Sequence, residues 1–120
     1  MRNMVIMPRG MRGRGRGRRW VYHQPDTRIF APLGQPWGRT PVVVLLLSEL
    51  EAMRLVDLEG LTQDEAAAKM GISRKTLWND LQSARKKVAE ALTRGWAIEI
   101  HQEEGTIVVN SAKDLNNTSQ

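Results

Sequence analysis

Ser73, Arg74, Lys75 and Thr76 are four consecutive side chains that can all make hydrogen bonds, and Asn79, Gln82 and Lys86 follow at spacings of three and four. On an α-helix those intervals bring Lys75, Asn79, Gln82 and Lys86 onto one stripe. The chemistry open to them is recognition rather than bond-making. Arginine and lysine can bond guanine O6 and N7, and asparagine can pair bidentately with adenine. Gln82, a turn further on, can reach a base or a phosphate. Trp78 lies between this stripe and the core, where it can pack against a sugar or a thymine methyl. Thr62 and Gln63, with the amides of the helix they begin, can hold phosphates, and Lys86 and Lys87 fit phosphates flanking the groove.

An ordinary solvated helix face has the same composition, so the charge distribution has to arbitrate. Residues 72–95 carry six cations against two anions, whereas residues 48–65 carry six anions against one cation. A solvated bundle has no need to segregate charge by helix; a helix that faces phosphates does. A second basic region lies at the N-terminus. Residues 1–19 contain seven arginines and no acid. Arg12, Arg14, Arg16 and Arg18 alternate there with glycine, a composition that cannot bury apolar surface and reads as a disordered arm. Such an arm can lie in the narrow minor groove of A·T-rich DNA, and similar repeats bind RNA without sequence preference. Met7-Pro-Arg opens this arm, so the start could be Met7 as well as Met1.

Catalysis is not expected. His23 and His101 are far apart and neither sits near a carboxylate pair at metal-ligand spacing. Asp57 and Glu59 have no acid–base partner in view, and Gly13, Gly15 and Gly17 lie in the arm rather than before a helix. There is no cysteine, which removes thiolate metal sites and disulfides and makes a reducing compartment the expectation. No cofactor or metal is expected. The longest apolar run, Val42 to Leu47, is far shorter than a membrane span, so the cytoplasm is the expected location.

The elements that must position these residues are legible from caps and periods. Val42–Leu47 reads either as a short strand or as a buried lead-in. Ser48 with Glu51 three residues on has the spacing of a capping box, and Leu50, Met53 and Val56 recur at helical spacing up to Gly60. Thr62 and Glu65 form a second box, with Leu61 and Ala66 at the positions of a hydrophobic staple. Gly71 ends that short helix, Ile72 can plug the core, and Ser73 caps a third helix. In it Leu77, Leu81, Ala84, Val88, Ala91 and Leu92 share a face, and Gly95 terminates it. Trp96, Ile98 and Ile100 then alternate with polar residues, Glu103-Glu104-Gly105 reads as a turn, and Thr106–Val109 as a returning strand. A small C-terminal hairpin is predicted.

A short helix with small residues at Ala66, Ala67 and Ala68, a glycine turn and a polar-tipped second helix is the pattern of a helix-turn-helix. Three stretches, Ser48–Ala68, Met70–Thr76 and Ser83–Leu92, resemble the small prokaryotic proteins grouped as domain-of-unknown-function family 134. Arg18-Arg19, Phe30, Pro32 and Gly34 match the upstream pattern of that family. The resemblance implies DNA binding, and the helical part is similar to region four of sigma factors, which reads promoter DNA. On that similarity Arg74, Lys75, Trp78 and Asn79 fall where DNA is met, although Trp78 departs from the polar residue usual in sigma factors. Some members of the family carry a metal-cofactor-related domain or cysteine motifs; neither is present in this sequence.

The expectation is therefore a mainly α, three-helix domain over residues 42–95 with a β-hairpin over 96–109. It follows a disordered basic arm (1–20) and an irregular Pro/Gly-rich segment (21–41), and it ends in a polar tail (110–120). Sequence-specific binding of double-stranded DNA in transcriptional regulation is the expected function, by a homodimer paired through the hairpin's strand edges. The alternative is an RNA-binding or protein-interaction module that uses the Arg/Gly arm, with the helices as scaffold.

Overall fold

The computed structural model describes residues 5–6, 17–35 and 38–109. Arg12, Arg14 and Arg16 and the expected polar tail lie outside the described residues. In chain order the elements are β1 (Val5–Ile6), β2 (Arg19–Val21), β3 (Ile29–Phe30), β4 (Val42–Leu46), α1 (Leu47–Met53) running into a π-helical turn (Arg54–Leu58), α2 (Gln63–Met70), α3 (Arg74–Arg94), β5 (Ala97–His101) and β6 (Thr106–Val108).

The fold is mixed α/β, which overturns the expectation of a mainly α domain with a small hairpin. Four strands form one sheet in the order β1-β4-β5-β3, and β2 pairs with β6 in a second. Val42–Leu46 is the central reason. All five residues are buried, and a short continuous apolar run covered on both faces suits the middle of a parallel sheet. β5 lies parallel to β4 with Val42 opposite Ala97 and Leu46 opposite His101, while β3 closes its other side antiparallel. Both edges of β5 are thus occupied. The chain does turn back at Gly105, where φ is +93°, but the returning strand β6 finds its partner in β2, in parallel. The hairpin does not form, because both edges of β5 are taken and β6 is paired along one edge by β2.

Two described pieces of the N-terminal region are strands. Val5 and Ile6 pair in parallel with Val42 and Val43, and Arg19–Val21 is β2, so both ends of the arginine-rich stretch are tied into sheets. β3 lies within the segment expected to be irregular. The reason is local: Val5-Ile6 and Trp20-Val21 are short apolar pieces flanking the arginines, and each meets an open strand edge.

The helices follow their caps with one exception. Thr62 and Glu65 form the reciprocal box, with Glu65 N–H to Thr62 Oγ1 at 3.1 Å and Thr62 N–H to Glu65 Oε1 at 2.8 Å. Ser73 Oγ accepts the Thr76 N–H at 3.0 Å. Ser48 is not a cap. β4 passes directly into α1, and Glu49 reaches back to the Leu46 N–H at 3.0 Å. The Ser48 hydroxyl is buried and donates to Glu103 instead. After Met53 the helix widens, with Glu59 N–H bonding the Arg54 carbonyl at 2.9 Å.

Two apolar clusters hold the layers together. Ala52, Leu55, Ala66, Ala67, Met70, Leu77 and Leu81 join the three helices, with Leu61 and Ile72 packed against them. Val21, Leu45, Leu47, Ala84 and Ile100 join α1 and α3 to the sheets. Full burial of a leucine such as Leu77 or Leu81 contributes about 2–3 kcal/mol. Leu92, expected on the core face, is 77% exposed. One position past Ala91, it is rotated roughly 100° off the buried side.

Candidate functional site

α3 is 21 residues long, and its two polar sides differ. On one side Lys75, Asn79 and Lys86 are exposed and Gln82 is half-buried. None of the four side chains makes a hydrogen bond or ion pair to another described residue. Ser73 and Arg74 stand exposed at the N-terminal tip, and Thr76 is half-buried beside them. Arg74 lies 3.6 Å from Asp64 in a pair that is mostly in solvent, so a phosphate or base could compete for it at little cost. Trp78 is 49% exposed, between this stripe and the core as its spacing indicated.

The tip is set by the turn that precedes it. Gly71 takes the left-handed conformation (φ +72°, ψ 32°). The Ile72 N–H returns to the Ala67 carbonyl at 3.0 Å, and Ser73 caps α3 one residue later. At the start of α2, Thr62 is exposed and Gln63 half-buried. The Thr62 N–H is held by Glu65, and Asp64 and Glu65 put two carboxylates in that first turn.

On its other polar side α3 is engaged throughout. Asp80 meets Arg19, with Nε to Oδ2 at 2.8 Å and Nη2 to Oδ1 at 3.3 Å, both side chains buried. Ser83 Oγ donates to Glu49 Oε2 at 2.6 Å, and Lys87 Nζ to Glu49 Oε1 at 2.6 Å. Lys87 is therefore a buried structural cation and not available to a phosphate, contrary to the expectation from spacing alone. The acids of α1 serve the same seam. Glu51 accepts the Tyr22 N–H at 2.8 Å, and Arg54 Nε and Nη2 donate to it at 2.8 and 2.9 Å; its hydrogen bond with Arg54 raises the Arg54 pKa further. Nearer solvent, Asp57 holds Arg85 through both oxygens, at 3.1 and 2.7 Å. That hydrogen bond lowers the Asp57 pKa and raises that of Arg85.

The structure adds residues that the sequence reading missed. β2 runs beside the α2–α3 turn. Its Trp20 ring would lie 3.8 Å from a Cβ placed on Gly71, yet 42% of Trp20 is exposed. The Tyr22 hydroxyl donates to the Lys69 carbonyl at 2.9 Å, and the Lys69 ammonium stands 5.0 Å from the Tyr22 ring centre. Arg18, which the sequence already placed in the basic arm, is exposed just before β2. An aromatic and basic patch thus adjoins the tip of α3. The signal was present, since Arg19 and Val21 alternate with Trp20 and Tyr22 at strand period, but it sat at the end of an arginine run.

Among the described residues no three His, Asp or Glu side chains are grouped to hold a metal ion, and no helix is long and apolar enough to cross a membrane.

A family model described as a protein of unknown function, DUF134, matches residues 7–108. The UPF0251 protein of Methanosarcina acetivorans is 49% identical over 105 residues, covering 88% of this chain and 92% of that protein. The UPF0251 protein of Pyrococcus furiosus is 49% identical over 90 residues, 74% of this chain and 83% of its own. That of Methanocella arvoryzae is 53% identical over 76 residues, covering 63% of this chain and 46% of that protein. No solved structure matches.

Proposed function

We propose, on the premise that this chain belongs to the DUF134 family, that it binds double-stranded DNA through a sigma-region-four-like helix-turn-helix made by α2 and α3. One observation carries this reading. The two polar sides of α3 are treated differently: one is consumed by buried partners, and the other ends in an exposed Ser73-Arg74-Lys75 tip followed by Asn79, Gln82 and Lys86 with no internal partner. Buried polar groups need partners, and an exposed row of donors at a helix N-terminus is the arrangement that meets base edges in a major groove.

In this reading Lys75 and Asn79 face bases, and Arg74, once released from Asp64, reaches a base or a phosphate. Lys86 and Gln63 meet the backbone, and Thr62 contributes only its hydroxyl proton because its N–H is held by Glu65. Trp78 packs on sugar or a thymine methyl. Arg18 and the arginines before it extend the contact to the backbone or an adjacent minor groove. The role is transcriptional regulation in the cytoplasm, without catalysis. A single short recognition helix reads few base pairs, so two copies are proposed on a two-fold site with half-sites about 34–36 Å apart.

Selection of bound duplexes from random DNA, with RNA as competitor, tests the reading. A recovered consensus that RNA does not displace is the expected result. Preferential retention of RNA, or retention of DNA without any consensus, would overturn sequence-specific DNA binding.

A further inference from the structure

A cavity of about 390 Å³ opens on the side of the molecule formed by α1, its π-helical turn and β3. Phe30, Leu50, Met53, Leu58 and Ile100 line it, with His23 among the lining residues. Its size lies in the range of small-molecule sites, which are mostly apolar with a few placed polar groups. Two features set it apart from an ordinary surface dent. Leu58 is 75% and Phe30 55% exposed, so two large apolar side chains face solvent around it. It also lies where the helix widens into a π-turn, a local irregularity often found at functional positions.

The charges of the wall define the occupant. Arg54 is neutralised by Glu51 and by Glu59, the latter at 3.1 Å, and Asp57 by Arg85 at 2.7 Å. The wall therefore presents no uncompensated charge, and a charged guest would be desolvated without a counter-ion. A neutral, largely apolar compound matches such a wall, with one group able to exchange a hydrogen bond with the His23 imidazole. Asp57 has a second role, because this lining residue also holds Arg85 on α3 through its carboxylate. We propose that this cavity binds a neutral, largely apolar compound of metabolite size, and that occupancy is transmitted to α3 through Asp57 and Arg85. The transmission matters to function only if α3 reads DNA as proposed above; occupancy itself does not depend on that reading.

N-phenyl-1-naphthylamine, a neutral apolar fluorophore, tests occupancy on the full chain without DNA. One probe per chain is expected, with saturable emission and tighter binding than its sulfonated, anionic analogue. Leu58→Arg and Phe30→Asp alter exposed residues and should leave the thermal unfolding midpoint in place while weakening the probe roughly ten-fold or more. No saturable binding, equal affinity for the anionic probe, or indifference to both variants would overturn the site. So would a concentration-dependent dimer broken by Phe30→Asp, which would show the cavity to be a contact between copies. The transmission is read separately, as a shift of the Arg85 Nε–H resonance when the probe binds. An unmoved resonance with a bound probe overturns the coupling. A moved resonance with no change in DNA affinity leaves the coupling standing and counts against the DNA reading.

Discussion

Lys86 and Lys87 are neighbours in sequence and opposites in the structure. Lys86 is exposed, and its side chain makes no hydrogen bond or ion pair to another described residue. Lys87 is buried at 2.6 Å from a carboxylate that is itself almost fully buried. A rotation of about 100° along one helix separates them. The same division runs along α3: Asn79 faces solvent while Asp80 is clamped by Arg19, and Gln82 is uncommitted while Ser83 donates to Glu49. A charged residue on a helix is a candidate for recognition only on the side where the protein has given it nothing to do.

The sharpest way to break this comparison is to substitute both lysines. Lys87→Met leaves the Glu49 carboxylate buried without its cation and should cost about 3–5 kcal/mol in urea denaturation. The double change Glu49→Gln with Lys87→Met should recover much of that loss, because no charge is then stranded. Lys86→Met should stay within about 0.5 kcal/mol of the parent. Equal stability of the two single variants would abolish the distinction between the two sides.

Next in size is the effect on binding. Asn79→Ala should weaken a cognate duplex by about 1–3 kcal/mol more than a random one, measured by titration at fixed salt. A loss that is the same on both would make Asn79 a backbone contact and the exposed side merely basic. The turn that aims this side is open to a comparable test. Gly71→Ala places a Cβ where φ is +72°, which costs about 1–2 kcal/mol, and brings it to ordinary contact with Trp20 at 3.8 Å. A stability loss in that range is expected; none would mean that the turn relaxes easily and does not fix the tip of α3.

How much of this was legible follows from which interactions are local. The caps at Thr62 and Ser73, the glycine turn, the Ile72 plug and the exposed stripe depend on residues within one or two turns of each other, and all were readable from spacing. Arg19 with Asp80 is 61 residues apart, and Lys87 with Glu49 is 38 apart. No local pattern announces such pairs, so Arg19 was counted with the arm and Lys87 with the phosphate contacts. The sheet was missed for the same reason. Val42–Leu46 looks alike as a strand or as a buried lead-in until β5 is laid beside it, and the Gly105 turn suggests a hairpin until β2 is seen to pair with β6.

The smallest effect expected belongs to a pair that falls between the two sides. Asp57 and Arg85 are joined by two hydrogen bonds, yet their side chains are 40% and 42% exposed. The hydrogen bond from Arg85, with its charge, depresses the Asp57 pKa below the ordinary 3.8. The sign follows from linkage: a carboxyl more acidic in the folded than in the unfolded state adds stability at pH above its unfolded value, and that stability is lost as pH falls through the folded value. Solvent screening keeps the contribution to about 0–1 kcal/mol. Asp57→Asn should therefore lower the urea midpoint slightly at neutral pH, and the difference from the parent should vanish in acid and shrink in high salt. The Lys87→Met deficit should persist in the same high salt, because its partner carboxylate is shielded from ions. If the Asp57 difference instead survives salt undiminished, the pair belongs with the buried seam, and the boundary between the structural and the exposed sides of α3 has to be moved to include Arg85.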